Sequence, residues 1–202
     1  MYELIPNELT SLPNWVGWKI EERDGKPTKI PYSATGVRAS STDASTWKTF
    51  DEVKGIPQLT DKGIGFVFDG KGIVGIDLDH CIEGGKLATW ALPIVRTLNS
   101  YTEVSPSGTG LHVFIRCEQK PYEGGKHKNN VEIYSEGRYF TVTGNRYYGT
   151  SAEIETVPVE LVHQLLDPFL NPPKEIVRKE VSPRAPSTVN LSDDDIIRIA
   201  SH

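Results

Sequence analysis

The sequence has few cysteines, no long apolar run and no surplus of positive charge. Each of these shortages limits the class of protein to which the chain can belong. Its two cysteines, Cys81 and Cys117, lack CxxC spacing, which indicates a reducing environment and argues against a cysteine zinc site. A disulfide between the two stays open from sequence alone. No apolar run approaches the roughly 18 residues of a membrane span, and the N-terminus lacks a signal-peptide pattern. We therefore expect a cytoplasmic protein without a membrane partner.

The net charge of −5 over 202 residues is, at first sight, unfavourable for a polyanionic partner. However, basic and acidic residues nearly balance in residues 1–148, so most of the negative excess lies in the last part of the chain. The overall charge therefore neither supports nor excludes nucleic acid.

The order of patterns along the chain predicts an α+β fold. β-branched and aromatic runs predict strands at 15–20, 64–68, 72–79, 101–105, 111–116 and 131–143, the last with a bend at Glu136-Gly137. Asp69-Gly70-Lys71 predicts that the second and third of these strands pair as a hairpin. Helical spacing predicts a short helix capped by Ser45, a second helix at 87–98 that Pro93 must kink or reset, and a third at 157–166.

The end of the chain changes character. We predict one domain over residues 1–168, a proline-rich linker over 169–190, and the start of a helical region over 191–202, where Ser192 precedes an acidic first turn. The helical pattern is cut short, so we expect the sequence to be a fragment of a longer protein.

The stretch IVGIDLDHC places two acids at the end of an apolar strand. Side chains alternate along a strand, so Asp77 and Asp79 should share a face and lie roughly 7 Å apart. Two solvated acids in a loop would be the ordinary explanation, but the apolar residues before them predict a central strand. Neighbouring like charges that resist loss of water need a positive partner.

Two further segments favour the same kind of site. The turn SGTGLH, which includes Ser107, Gly108 and His112, suits close approach by phosphate, because glycines let backbone N–H groups face its oxygens. Glu132 is a third acid flanked by apolar residues, in NVEIY. All-oxygen ligands favour Mg²⁺ or Mn²⁺, and two such ions could activate a 3′-hydroxyl and stabilise pyrophosphate.

These motifs, in this order, resemble the archaeo-eukaryotic primase superfamily, and especially the bifunctional DNA primase/polymerase N-terminal domain of phage and plasmid replication proteins. The similarity covers DLD, SGTGLH, VEIY and GRYFTVTG, together with the opening WVGWK…KPTKIPYSATG…ASSTDASTW. It implies a catalytic core with a sheet of RNA-recognition-motif type, joined to an N-terminal α/β unit. It also implies template-directed nucleotide addition on a DNA template and primer, in a phage- or plasmid-encoded protein of a prokaryotic host.

The resemblance assigns roles to particular residues. It implies that Asp77, Asp79 and Glu132 bind the metal ions and that His112 contacts the incoming triphosphate. The end of the chain resembles the helical region that often precedes a helicase in such proteins.

Other candidates rest on position and chemistry. Lys29 is a candidate triphosphate or template contact, and Arg138 could offset phosphate charge with its bidentate guanidinium. Tyr139 could pack against the nucleotide sugar. Lys126 and Lys128, in the basic loop YEGGKHKNN, could contact template phosphates. Lys29, Lys126 and Lys128 could instead be solvated loop lysines, and Tyr139 could be a core aromatic.

Three other functions compete with a polymerase. A HAD-type phosphatase also carries DxD after a strand, but normally nearer the N-terminus and with Thr or Val where Cys81 stands. A HUH endonuclease needs two histidines flanking one hydrophobic residue, and the five histidines include no such pair. A non-catalytic single-stranded DNA-binding module stays open.

Overall fold

The computed structural model describes residues 2–55 and 63–173, which form an α+β fold, as predicted. The described strands are β1 (Trp15–Arg23), β2 (Lys26–Tyr32), β3 (Ile64–Asp69), β4 (Ile73–Leu78), β5 (Ile82–Glu83), β6 (Lys86–Leu87), β7 (Thr102–Val104), β8 (Leu111–Arg116), β9 (Lys126–Lys128), β10 (Val131–Tyr134) and β11 (Glu136–Val142). The described helices are α1 (Asn7–Thr10), α2 (Phe50–Lys54), α3 (Leu92–Leu98) and α4 (Val159–Leu170), with a 3₁₀ turn at Ala44–Thr46.

Two antiparallel sheets form the body of the fold. The first has the strand order β11-β3-β1-β2, so it combines N-terminal strands with one from late in the chain. The second has the order β7-β8-β4-β10-β9, with β4 at its centre. Among the described residues, no helix is long and apolar enough to cross a membrane.

The central sheet has an apolar core on each of its faces. On one face, Val74, Ile76 and Leu78 of β4 belong to a buried cluster with residues of α3 and α4. On the other face, Ile73 of β4 belongs to an aromatic cluster that includes Phe68 of the first sheet. Strand alternation therefore directs odd-numbered β4 residues, including Asp77, toward the first sheet.

The predicted β3–β4 hairpin is wrong. β3 pairs with β1 and β11, whereas β4 pairs with β8 and β10, so the chain changes sheet at the Asp69–Lys71 turn. Both strands are buried almost throughout, and each fills the middle of its own sheet. The turn signal was correct, but it does not reveal which strands pair.

Several element boundaries also differ from the prediction. The run 131–143 is two strands in different sheets, divided at Ser135, with a register shift between Glu136 and Tyr139. Ser45 does not cap a helix. Asp43 caps the 3₁₀ turn, and Thr49 caps α2 in a reciprocal capping box with Glu52.

The two helices that flank the central sheet begin later than predicted. Helix α3 begins at Leu92, so Pro93 lies in its first turn, where a missing N–H costs little, rather than at a kink. Helix α4 continues through Pro168 to Leu170, past the predicted start of the linker. Contacts divide the chain into Met1–Pro172 and Pro173–His202. The rest of the predicted linker and helical region, from residue 174, lies outside the described residues.

Cys81 and Cys117 are both free and buried in the described structure. Burial raises the pKa of the Cys81 thiol to about 12 and that of Cys117 to about 11. Both side chains pack in the core between the central sheet and the helices, where they behave as small apolar groups.

Gly75 offers a test of the packing between the two sheets. A Cβ added there would lie 2.2 Å from Cζ of Phe68 and 2.5 Å from Cε2 of Phe140, both in buried rings. We expect Gly75→Ala to lower the free energy of unfolding by about 2 kcal/mol or more, because the rings must move. Urea denaturation measures this. Gly55→Ala is the matched control, since its nearest atom would be 3.6 Å away; equal stability of the two variants would contradict this packing.

Candidate active site

One residue from each strand of the central sheet contributes to a row of acids and histidines. The register aligns Glu103 of β7 with His112 of β8, His112 with Asp77 of β4, Asp77 with Glu132 of β10, and Glu132 with His127 of β9. We call these five residues the acid–histidine row. Directly opposed residues on antiparallel strands have Cβ atoms about 5 Å apart, so neighbours in the row interact.

The row lies along a cavity of about 410 Å³ between the two sheets. This volume is within the range of small-molecule sites. Four members of the row line it, together with residues of β2, β10 and β11; the lining residues are Lys29, Asp77, His112, His127, Glu132, Tyr134, Arg138, Tyr139, Phe140 and Thr141.

Asp77 is at the centre of the row, with its side chain 20% exposed. The pKa of its carboxyl is raised to about 6, chiefly by burial; the charges of Asp79 and Glu132 contribute to the rise, while those of His112 and Lys29 oppose it. Oδ1 is buried and has no hydrogen-bond partner among the described residues. A buried carboxylate oxygen without a hydrogen-bond partner is suited to a cation.

His112 is fixed between two carboxylates. Its Nε2 lies 3.8 Å from Oδ2 of Asp77, and its Nδ1 lies 3.5 Å from Oε1 of Glu103. The ring stacks on Phe140, with centroids 5.0 Å apart. Burial alone would lower the pKa of the imidazole, but Glu103 and Asp77 outweigh it and raise that pKa. A charged imidazole presents N–H groups, which can donate to phosphate.

Glu132 and His127 form the outer part of the row. His127 Nε2 lies 3.4 Å from Oε1 of Glu132, and the histidine side chain is 61% exposed. Glu132 is the more enclosed of the two, so its carboxylate faces the cavity between Asp77 and His127.

The predicted basic residues Lys29 and Arg138 also line the cavity. Loss of solvent lowers the pKa of the Lys29 ammonium, whereas the charges of Asp77 and Asp79 act against that change. The Arg138 guanidinium lies 5.3 Å from the centre of the Tyr134 ring. Tyr139 donates a hydrogen bond to the backbone oxygen of Lys29 at 2.9 Å, so its hydroxyl links β11 to β2.

The predicted glycine turn lies at the end of β4 rather than on the cavity wall. Ser107 and Gly108 are exposed and do not line the cavity. Gly110 connects the turn to β8; a Cβ on it would lie 3.0 Å from the Leu78 oxygen and 3.7 Å from Cα of Asp79. The turn is therefore adjacent to the second aspartate.

The two predicted template-binding lysines differ. Lys128 is exposed. Lys126 instead contacts the region of α4, with its ammonium hydrogen-bonded to Asn171 and 5.4 Å from the Tyr122 ring centre. Contact with template phosphates stays a prediction for both.

The metal prediction fits part of this arrangement. In residues 2–55 and 63–173, no three His, Cys, Asp or Glu side chains converge closely enough to hold a metal ion. Asp77 and Glu132 are cross-strand neighbours on the cavity, while Asp79 follows the last residue of β4. Mg²⁺ is often held by one or two carboxylates with water and substrate phosphates completing its shell, and Asp77 and Glu132 fit that donor set.

Sequence reasoning missed three residues at this site. Glu103 and His127 belong to the acid–histidine row, and Tyr134 lines the cavity. Glu103 lies two residues before the glycine turn in a short strand, and an acid in the middle of a predicted strand was the available signal. His127 lies within YEGGKHKNN, which the sequence predicts to be a basic loop.

The α+β fold, with acids on an antiparallel sheet beside a basic-rimmed cavity, matches the core that the sequence resemblance predicted. No family model matches the chain. The chain is 34% identical over 200 residues to a "DNA Primase-polymerase" of Nitratiruptor phage NrS-1, an alignment that covers 94% of this chain. The chain spans about a quarter of that protein's length, 26%. The predicted resemblance to a primase-polymerase domain is confirmed over this shared region.

The raised pKa of Asp77 gives a stability test in EDTA. Its folded pKa of about 6 exceeds the ordinary aspartate pKa of 3.8, so its protonation stabilises the folded state. That contribution is complete below pH 4 and is lost as the pH rises through 6. We expect the wild type to lose on the order of 2 kcal/mol relative to Asp77→Asn between pH 4 and pH 7.

Urea denaturation at several pH values measures this difference in the free energy of unfolding. The contributions of the other titratable groups largely cancel, because both proteins contain them. Asp51→Asn is the control, because the Asp51 side chain is 81% exposed. A pH-independent difference between the wild type and Asp77→Asn would contradict the burial of this carboxyl.

Proposed function

We propose that this chain is a template-directed DNA primase-polymerase domain, which adds nucleotides to a 3′-hydroxyl with release of pyrophosphate. The observation that carries the proposal is the pairing of Asp77 with Glu132 and His112 on one cavity. Similarity to the phage primase-polymerase supports the same activity. We propose that it acts in the replication of phage or plasmid DNA, in the cytoplasm of a prokaryotic host.

The acidic and the basic side chains at the cavity have different proposed roles. Asp77 and Glu132 supply the anionic oxygens of the cavity, with Asp79 at the end of the same strand. His112 presents Nε2 toward the cavity and would donate to the triphosphate. Lys29 and Arg138 lie at the cavity and would offset the remaining phosphate charge.

Divalent metal ions complete this proposal. Asp77 and Glu132, with Asp79, would hold Mg²⁺ or Mn²⁺, which when bound supplies a more acidic 3′-hydroxyl and stabilises the leaving pyrophosphate. The unpartnered Oδ1 of Asp77 and its proximity to a second acid support this assignment.

The DNA partners follow from the same chemistry. A template-primer must enter beside the cavity, and exposed Lys128 is available to contact its phosphates. Such contacts make binding weaken as salt rises, since counterions are released on binding. The helical and helicase region stays a prediction, because it concerns sequence after residue 173.

A primer-extension assay separates this function from a non-catalytic DNA-binding module and from a phosphatase. The reaction contains a primed template, four deoxynucleoside triphosphates and Mg²⁺ or Mn²⁺. We expect extension by the wild type, and a loss of at least about 100-fold in Asp77→Asn and Glu132→Gln, because each removes an anionic metal ligand. Binding of the template-primer, measured by fluorescence anisotropy, should change by no more than about twofold.

Glu123→Gln is the matched control for Glu132→Gln, because it makes the same change at an exposed carboxylate in the loop before β9. DNA binding without extension in the wild type would favour the binding module. Release of phosphate without extension would favour the phosphatase. Full extension by Asp77→Asn would refute the proposed site.

A further inference from the structure

Lys29 lines the cavity together with Asp77 and Glu132, yet it has no acidic partner of its own. Among residues 2–55 and 63–173, no carboxylate forms an ion pair with its ammonium. A free lysine side chain samples many rotamers, and ordering it is costly. A contact other than an ion pair must therefore hold the ammonium at the cavity.

The indole of Trp18 supplies that contact. The Lys29 ammonium lies 5.4 Å from the centre of the Trp18 ring, and a cation–π interaction extends to about 6 Å. The strand register agrees with this contact: Lys29 lies directly opposite Ile20, and Trp18 is two residues before Ile20, so the three side chains share one face of the β1–β2 hairpin. Among aromatic rings, that of tryptophan attracts a cation most strongly.

The Trp18 ring is itself fixed. Its Nε1–H donates to the backbone oxygen of Ile64 at 3.1 Å, and the residue is only 8% exposed. Gly63 packs against the same ring, since a Cβ added there would lie 3.1 Å from Nε1. The backbone of Lys29 is fixed separately, because the Tyr139 hydroxyl donates to its oxygen at 2.9 Å. Both ends of the lysine are therefore held, each by a different contact.

A ring orients a cation in a different way from a carboxylate. The face of an aromatic ring attracts an ammonium through its quadrupole, but the ring has no net charge. The charge of Lys29 is therefore oriented without being balanced by a formal negative charge. Such a cation is ready to bind a phosphate, whereas a lysine paired with a carboxylate would first have to give up that partner.

We propose that Trp18 is a positioning residue, which holds the ammonium of Lys29 at the cavity so that it can bind the triphosphate of the incoming nucleotide. The identity of that ligand rests on the proposed function, whereas the Trp18–Lys29 arrangement does not. The triphosphate is favoured over the template backbone as the source of the phosphate, because Lys29 shares the cavity with Asp77 and Glu132. Trp18 does not line the cavity itself, so it acts only through the lysine.

A purely structural role for Trp18 gives different expectations. If the indole only packs β1 against β3, its replacement lowers stability and affects activity to the same extent whether or not Lys29 is present. If it acts through Lys29, its effect disappears once the ammonium is removed, and a phenyl ring retains part of it. The two roles therefore differ in a double-mutant cycle.

The first test is primer extension by Trp18→Leu, Trp18→Phe, Lys29→Met and the Trp18→Leu/Lys29→Met double variant, at a temperature where all are folded. We expect Trp18→Leu to raise KM for the nucleotide roughly 3- to 10-fold, with a smaller effect on kcat. Trp18→Phe should have a KM closer to that of the wild type, because it keeps a ring face. The double variant should be no worse than Lys29→Met alone.

Two variants are matched controls. Trp47→Leu also removes an indole whose Nε1–H donates to a backbone oxygen, that of Ser40, but among the described residues no cation lies over that ring. Lys19→Met removes an ammonium from the opposite face of the β1–β2 hairpin, since Lys19 precedes Ile20 by one residue. Both controls should leave KM for the nucleotide unchanged.

Three results would overturn the proposal. The first is additive losses in the double variant, or equal KM values for Trp18→Phe and Trp18→Leu. The second is an unchanged nucleotide KM in Lys29→Met, which would leave the proposed function standing if the wild type extends primers. The third is a Lys29→Met variant that loses affinity for the template-primer but keeps its nucleotide KM, because the ammonium would then contact the template.

The second test needs neither activity nor a stable variant of Trp18. Proton–carbon NMR of the wild-type chain with carbon-13-labelled lysine reports the ε-methylene of Lys29, assigned from Lys29→Met. Protons over the face of an indole resonate upfield, so we expect this signal upfield of that of exposed Lys128. An unshifted signal would overturn the positioning role even if the protein extends primers. A shifted signal in a protein that extends no primer would leave the positioning intact and refute the proposed function.

Discussion

The pairing of Asp77 with Glu132 across adjacent strands is the constraint on which the site depends. Like charges placed opposite each other destabilise a sheet, and the burial of Asp77 adds to that cost. His112 and His127 lie on the outer sides of this pair, 3.8 and 3.4 Å from its carboxylates, and His112 opposes the rise in the pKa of Asp77. Repulsion between the carboxylates of Asp77 and Glu132 remains, and the proposed divalent ion would remove it.

The two-sheet construction keeps this charged row beside an apolar core. The helix-facing side of β4 is continuous with buried aliphatic residues, which pack the central sheet against the helices on that face. On that other face, Phe68 and Phe140 approach Gly75 closely, and the Phe140 ring also stacks on the imidazole of His112. The acids are therefore positioned by a rigid sheet, which suits a site that must hold its ligands in fixed geometry.

Much of this site could be predicted from the sequence. Asp77, Glu132 and His112 each interrupt an apolar strand, and that local anomaly is visible without a structure. The row itself was not predictable, because register between strands depends on contacts between distant residues. Glu103 was missed for that reason, and so was the role of His127, which appears from sequence to belong to a solvated loop.

The errors in the fold have a related cause. A turn signal fixes where the chain reverses, but whether the flanking strands pair or enter different sheets depends on which faces are buried. β3 and β4 are both buried on two sides, and each pairs with other strands in a different sheet. In contrast, β2 follows Asp24-Gly25, a two-residue turn of the kind that favours hairpins, and pairs with β1 as that signal indicates.

The central claim is that Asp77 and Glu132 share a divalent ion in the presence of a nucleotide. Anomalous scattering from Mn²⁺, in crystals grown with a non-hydrolysable deoxynucleoside triphosphate, measures this directly. The account predicts a peak roughly 2.2 Å from oxygens of both carboxylates and of the triphosphate. A nucleotide bound in the cavity without Mn²⁺ at these two acids, or Mn²⁺ bound elsewhere, would contradict it.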